Sequence, residues 1–266
     1  MMPTQHDHVS FIHPNAKIGQ NVVIEPLAVI HEDVVIGDNT WIGSHVVIYD
    51  GARIGKNCKI YPGAVISANP QDLKYQGEYT TVEVGDNTTI RECVTINKGT
   101  LANLRTVIGR NVLLMAYVHI AHDCVIGDNV ILSNAVNFAG HVEVGNFAVV
   151  GGMCAAHQFT HIGQHVMISG GSLIRKDVPP FTRAGREPIR FEGINTIGLK
   201  RRGVGTEAIK HIQEIYKVLY KSGLNVSQAT EILSSWPQTP ELSDILTFIK
   251  HSKRGIMKAY HSHTDG

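Results

Sequence analysis

The chain has little with which to build an aromatic core or to attract a strongly charged partner. Phe, Trp and Tyr make up 6% of its 266 residues, so aromatic anchors are scarce and the core must be aliphatic. Lys and Arg number 24 against 23 Asp and Glu, a formal net charge of +1, and no field of either sign points to nucleic acid or a membrane surface. No apolar run approaches a membrane span, and the opening "MMPTQHDHVSF" lacks the basic end and apolar stretch of a secretory signal. A cytoplasmic protein without a transmembrane segment is expected. Cys58, Cys93, Cys124 and Cys154 stand singly, with no CxxC pair, and read as small buried hydrophobes rather than disulfide partners or a thiolate metal site.

What is abundant is aliphatic residues on a fixed beat. From Ile12 to Ile66 an isoleucine falls at every sixth position; the beat resumes at Val84, Ile90 and Ile96, then runs from Ile108 through Leu114, Ile120, Ile126, Leu132, Phe138, Val144, Val150, Ala156, Ile162 and Ile168 to Ile174. Neither an α-helix nor a flat strand has period six. A parallel β-helix does, each six-residue leg giving one short strand and one turn, with three legs closing an eighteen-residue coil. A Gly-x-Asn or related turn marks one corner per coil, where Gly and Asn tolerate left-handed backbone angles.

The marks slip twice. After Ile54 the next one comes at Val84, twelve residues late, and after Val84 it comes at Ile108, six late. Two insertions therefore leave the solenoid, within "SANPQDLKYQGEYT" (67–80) and "KGTLANLR" (98–105), and inserted loops are where repeat proteins often build sites. Counted from each coil's marking aliphatic, Asn97 and His157 lie at +13, His122 at +14 and His141 at +15, just past one corner on four successive coils. With coils about 4.8 Å apart they form a polar column beside both loops. His13 and His31 hold the same +13 place in early coils, so a histidine at this corner is not by itself a site. The column together with two adjacent loops makes it one.

His122 followed by Asp123 suits a general base supported by an anion, and Gly140 in "AGH" offers a backbone N–H to a developing oxyanion, as acyl transfer requires. Zinc held by His119, His122 and His141 is the competing chemistry, and a non-catalytic scaffold is the third class. The beat ends at "DVPPF", where paired prolines are expected to forbid further strand pairing. Beyond it, three helical stripes follow: Ile209, Ile212, Tyr216, Leu219 and Tyr220, with Thr206 as N-cap and Gly223 as stop; Ala229, Ile232 and Leu233, capped by Ser227; and Leu242, Ile245, Leu246 and Ile249 from Pro240. The expected division is a β-helix over 1–188 and a helical domain over 189–266. Lys200–Arg202 is a basic run suited to phosphates or an acidic carrier protein.

The segments "NPQDLKYQGE", "HIAHDC", "AGHVEVG", "GGMCAAHQF", "DVPPF" and "GLKRRG", in that order over nearly the whole chain, resemble those of the bacterial UDP-N-acetylglucosamine 3-O-acyltransferase family, which opens lipid A synthesis. The resemblance implies a left-handed parallel β-helix with a small α-helical C-terminal domain, a handedness that periodicity does not reveal. It also implies a cytoplasmic homotrimer with sites between subunits, moving an R-3-hydroxyacyl chain from acyl carrier protein to the 3-hydroxyl of UDP-N-acetylglucosamine with no cofactor and no metal. His122 is then the general base, Asp123 its support and Gly140 N–H the oxyanion donor. Asp72 and Lys74 hold the sugar nucleotide. His119, His141, His157 and Gln158 line the sugar and acyl path, while Asn195, Arg201 and Arg202 reach the nucleotide, and Gly170 leaves room for a longer acyl chain. Asn97 departs from the histidine of several relatives, and Ile197 from an acidic residue. The related N-acyltransferase normally carries an N-terminal domain for which a repeat starting at Ile12 leaves no room. Coenzyme A-dependent acetyltransferases have no need of the basic run.

Overall fold

In the computed structural model, which describes residues 10–259, every beat residue from Ile12 to Ile174 lies in a short strand and nearly always ends it, as in Val29–Ile30, His119–Ile120 and Asn137–Phe138; the strands of Ile66 and Ile96 run on to Ala68 and Asn97, where the two insertions leave. Residues 1–9, on which the leader reading rests, lie outside the described residues. Three parallel sheets form the faces of a prism. The first runs from Phe11–Ile12 to Leu173–Ile174, the second from Lys17–Ile18 to His161–Ile162, and the third from Val23–Ile24 onward. Pairing is in register from coil to coil: His119 sits against Asn137, Ile120 against Phe138, and Val125 against Glu143. The fold is a left-handed parallel β-helix followed by a small helical region.

The beat residues point inward and from Ile24 onward are buried along the axis, while the residue before each faces outward. This alternation is the period-two rule of a strand applied for two residues at a time. The chain then bends through a left-handed residue at every corner of the later coils, not at one corner per coil: Asn111, Tyr117, Asp123, Asn129, Ala135, His141 and Phe147 all have φ between 55° and 64°. The corner glycines do a different job from the one expected. A Cβ on Gly109 would lie 2.6 Å from Asp128 Oδ1 and 2.7 Å from Gly127 C of the next coil, so the residue is needed for close approach and the following Asn supplies the positive φ. Cys58, Cys124 and Cys154 are buried as expected, and burial pushes the Cys124 thiol up to about 12; Cys93 is exposed at a corner.

Strand pairing does not stop at Pro179–Pro180. Thr182–Gly185 pairs in parallel with Met167–Ile168, then antiparallel with Arg190–Ile194, because both prolines precede the strand and leave its N–H groups free. The expected division between 188 and 189 falls in the turn joining these two paired strands. The third sheet runs across it and ends at Lys258–Ala259. Four helices follow: α1 Thr196–Arg201, α2 Thr206–Lys221, α3 Val226–Ser234 and α4 Pro240–His251. Their inner faces meet in a second apolar cluster that includes Phe181, Leu199, Ile212, Tyr216, Leu233 and Ile245.

The stripes expected for α2, α3 and α4 are present, but two caps differ. Gly205, not Thr206, is the N-cap of α2, and Asn225, not Ser227, caps α3 through a capping box with Gln228. α1 has no apolar periodicity long enough to signal itself. Among the described residues no helix is long and apolar enough to cross a membrane. Removing most of one beat side chain should be felt along the stack, since each coil is held only by its neighbours. Ile120→Ala is expected to cost about 2–5 kcal/mol, read as a lowered urea midpoint against Val125→Ala on the outer face, which should stay near wild type.

Candidate functional site

The candidate site is the corner between the first and second sheets. His122 and Asp123 follow Ile120 after the single residue Ala121, and Asp123 is the left-handed corner residue with φ 61°. That turn swings its carboxylate back instead of away: Oδ2 lies 2.8 Å from His122 Nδ1. Strand neighbours point to opposite faces, but a corner pair need not. Asp123 is fully buried and His122 7% exposed, so the pair is held away from water.

The second insertion wraps the carboxylate. Thr100 N donates to Asp123 Oδ1 at 2.9 Å and Thr100 Oγ1 to Oδ2 at 2.6 Å, while the Asp123 backbone N–H donates to Thr106 Oγ1. Burial acts to raise the Asp123 pKa, but the bonds from Thr100 and His122 outweigh it and hold the carboxyl below its ordinary value. An ionised carboxylate only accepts, so His122 donates to Asp123 from Nδ1, which leaves Nε2 as the ring nitrogen turned away from that bond.

The first insertion brings a second carboxylate over that nitrogen, Asp72 Oδ2 lying 4.0 Å from His122 Nε2. Asp72 is itself fixed by accepting from Lys74 N at 2.9 Å, while the Lys74 side chain is exposed. His141 meets His122 edge to face at 5.2 Å, stacks on Phe159 at 4.5 Å, and places Nε2 at 3.6 Å from Asp123 Oδ2. Gly140 lies directly beneath the His122 ring: a Cβ there would fall 2.5 Å from Cε1 and 2.6 Å from Nε2. Its N–H donates no hydrogen bond among the described residues, nor do those of His122 and Gln158 on the same edge, whereas on the edge between the second and third sheets the equivalent N–H of Lys56, Arg110 and Asp128 is bound by an Asp or Asn of the next coil.

The remaining expected residues are more scattered. His119 lies one leg earlier with Nδ1 2.7 Å from Thr95 Oγ1. Asn97 spends its amide on the base of the first loop, donating to Asn69 O, and His157 is exposed with Nδ1 against Gln158 O. No hydrogen bond, ion pair or ring contact joins either to His122 among the described residues, whereas His141 and the two aspartates face it directly. Asn195 is one prism face away, N-capping α1 and donating to His165 O at 2.9 Å. Nearby, the Arg202 guanidinium lies 4.5 Å over Phe147, and Arg201 is exposed. Gly170, exposed, approaches Gly152 of the coil below. Thr100 and Thr106 carry no motif of their own. Their signal was only that the second insertion leaves at the Asp123 corner.

For a metal, the group whose donor atoms converge is His122, Asp123 and His141, within 4.8 Å of one another, and not the three histidines of the zinc reading. It fits poorly. The Asp123 oxygens already accept from Thr100 and His122, and His122 turns Nδ1 to Asp123 and Nε2 to Asp72 rather than both partners sharing one point.

A solenoid of six-residue legs with a buried imidazole–carboxylate pair at one corner defines the class of hexapeptide-repeat transferases, and the model described as bacterial transferase hexapeptide (six repeats) matches residues 15–40, 33–68 and 105–140. The model described as UDP N-acetylglucosamine O-acyltransferase, domain 2, matches residues 177–257. An acyl-(acyl-carrier-protein)–UDP-N-acetylglucosamine O-acyltransferase of Gloeothece citriformis is 45% identical over 70% of this chain and 68% of its own length, and one of Thiobacillus denitrificans 42% identical over 71% and 74%. The crystal structure of a UDP-N-acetylglucosamine acyltransferase from Bacteroides fragilis superposes with a TM-score of 0.93 at 47% identity, covering 96% of this chain and 100% of that one. The chain belongs to the UDP-N-acetylglucosamine O-acyltransferase family.

Burial holds both His119 and His141 below the ordinary imidazole value of 6.5; for His141 the attraction of Asp123 opposes it. Each is therefore neutral when folded over a range in which the unfolded chain is protonated. Stability from this source is complete above the ordinary value and is lost as pH falls through it. The urea midpoint is expected to drop between about pH 7 and pH 5, and the His119→Gln/His141→Gln double variant to show a flatter slope.

Proposed function

We propose that the protein transfers an R-3-hydroxyacyl chain from an acyl-carrier-protein thioester to the 3-hydroxyl of UDP-N-acetylglucosamine, the first step of lipid A biosynthesis, with His122 as general base. The observation that carries the reading is His122 fixed between Asp123 and the cradle of Gly140, with Nε2 free to accept a proton and an unbonded N–H beside it. His122 Nε2 takes the proton of the sugar hydroxyl as that oxygen attacks the thioester carbonyl. Gly140 N–H receives the oxyanion of the tetrahedral intermediate. The C–S bond then breaks, and the imidazolium returns the proton to the departing thiolate of the carrier. Asp123 stabilises the imidazolium between these steps. Asp72 and Lys74 position the sugar, His119, His141, His157 and Gln158 line its path and that of the acyl chain, and Gly170 leaves space for a longer tail. The donor arrives activated, so no cofactor or metal is needed. Carrier and nucleotide sugar place the reaction in the cytoplasm.

The assembly we infer is a homotrimer. The outer positions of the first face read Phe11, Val29, Val47, Val65, Thr95, His119, Asn137, Ala155 and Leu173, those of the third face Val23, Trp41, Lys59, Thr89, Leu113, Ile131, Val149 and Met167, and the second face, beside Val35, Val107 and Val125, carries the charged or ionisable Lys17, Arg53, Glu83, Glu143 and His161. The apolar faces meet at a corner where Tyr117 is 65% and Met153 74% exposed. Three copies with this corner on the axis set the His122 corner of one across a cleft from the His165 corner of the next. That neighbour then supplies Asn195, Arg201 and Arg202 to the nucleotide and its diphosphate.

His122→Ala is expected to abolish transfer while the trimer stays folded, in an assay of UDP-N-acetylglucosamine with carrier thioesters of graded chain length. Near-normal turnover would remove His122 as the base, and a stoichiometric zinc requirement would favour the metal chemistry. Met153→Arg is expected to shift the mass by light scattering from three chains to one and to lose transfer with it.

A further inference from the structure

The second insertion, residues 98–105, takes no part in the chemistry above, yet it is the segment most closely fastened to the catalytic pair. Thr100 gives Asp123 two hydrogen bonds, one to each carboxylate oxygen, and Asn103 Nδ2 donates to the Asp123 carbonyl at 3.3 Å. Thr106, on the strand that the insertion enters, accepts the Asp123 N–H at 2.8 Å. An aspartate at φ 61° is thus held at its N–H, its carbonyl and both side-chain oxygens by three residues, Thr100, Asn103 and Thr106, of one stretch of chain. At the corner one coil later His141 takes the same backbone angle without such a clamp, so the fold alone does not require it.

We propose that Thr100 is a positioning residue, and the second insertion a clamp, that fixes the rotation of the Asp123 carboxylate so that Oδ2 faces His122 Nδ1. The inference rests on the acyl-transfer reading for its kinetic consequence, but not for its structural one. A carboxylate on a single bond rotates unless both oxygens are engaged. Thr100 N–H engages Oδ1 and Thr100 Oγ1 takes one side of Oδ2, leaving the other side of Oδ2 for His122 at 2.8 Å. Released from the hydroxyl, Oδ2 can turn toward His141 Nε2, which stands 3.6 Å away, and His122 then loses the acceptor that keeps its proton on Nδ1. The base nitrogen Nε2 would be protonated in part of the population and unable to act. The clamp explains why an insertion enters the solenoid here at all: no residue of a plain six-residue leg reaches over the corner to cover Asp123.

The test uses the full-length protein with histidines labelled with nitrogen-15. Thr100→Val keeps the backbone donor and removes the hydroxyl, Thr100→Ser restores it, and Leu101→Ser, at an exposed neighbour in the same loop, is the control. In wild type and in Thr100→Ser and Leu101→Ser, the His122 ring is expected as the Nδ1–H tautomer; in Thr100→Val it is expected as a mixture. Turnover in Thr100→Val should fall about tenfold in kcat with KM for the sugar nucleotide little changed, the loss of one hydrogen bond to a charged group, and recover in Thr100→Ser. An unchanged His122 tautomer in Thr100→Val, with folding intact, overturns the proposal whatever the turnover. A mixed tautomer in a protein that shows no acyl transfer in any form upholds the clamp and instead removes the reaction assigned to the site.

Discussion

Everything in this molecule depends on one backbone interaction, the hydrogen bond from each leg to the leg one coil further on. His119 N to Val136 O, Val125 N to Val142 O and Ile131 N to Ala148 O are three of a series that fixes the coil at eighteen residues and the vertical step at strand spacing. Once the step is fixed, inside and outside are fixed too. The beat residues stack into a continuous apolar column because nothing else fits there, and the outer residues form vertical ladders. Side chains far apart in sequence become near neighbours only through this register, which is why His122, Gly140 and His141 converge.

The price of the register is paid at the corners, where bulky residues such as Tyr117, Phe147 and Met153 take up left-handed angles that cost a non-glycine residue energy. On the edge between the second and third sheets part of that cost is offset locally, where the next coil's Asp or Asn side chain takes the N–H, as Asp128 does for Arg110. On the edge of the candidate site the polar groups are used differently. Asp123 turns its carboxylate to a histidine and a loop, and the N–H groups of His122, Gly140 and Gln158 are left unbound among the described residues.

Much of this was legible in the chain. The beat of six names the inward residue of every strand from Ile12 to Ile174, the slipped marks place both insertions, and the corner holding His122 follows from counting. What counting could not reach was orientation. Whether Asp123 turns toward His122 depends on Thr100, which sits in no repeat, and Asn97 shares the corner yet faces the loop base because Asn69 offers a carbonyl there. The paired prolines misled for a related reason. Proline bars a donor only at its own position, and the strand from Thr182 starts after both. The caps of α2 and α3 were misread by one or two residues because Gly205 and Asn225 precede the polar residues that looked like caps. The short α1, with Asn195 bound into the coil at His165, needed the folded chain to be seen.

The two insertions leave from the same corner, and the beat on either side of them is undisturbed. For a prism in which each leg must rest on the one below, length is therefore quantised. Gain or loss of one residue inside a leg turns every later side chain out of the core, while gain or loss of eighteen adds or removes a whole storey and leaves the rest in place. Between these limits lies the corner, where chain can be added without passing the error upward. Variation in such a protein is channelled to one vertical edge, and in this chain that edge is where the reactive groups stand.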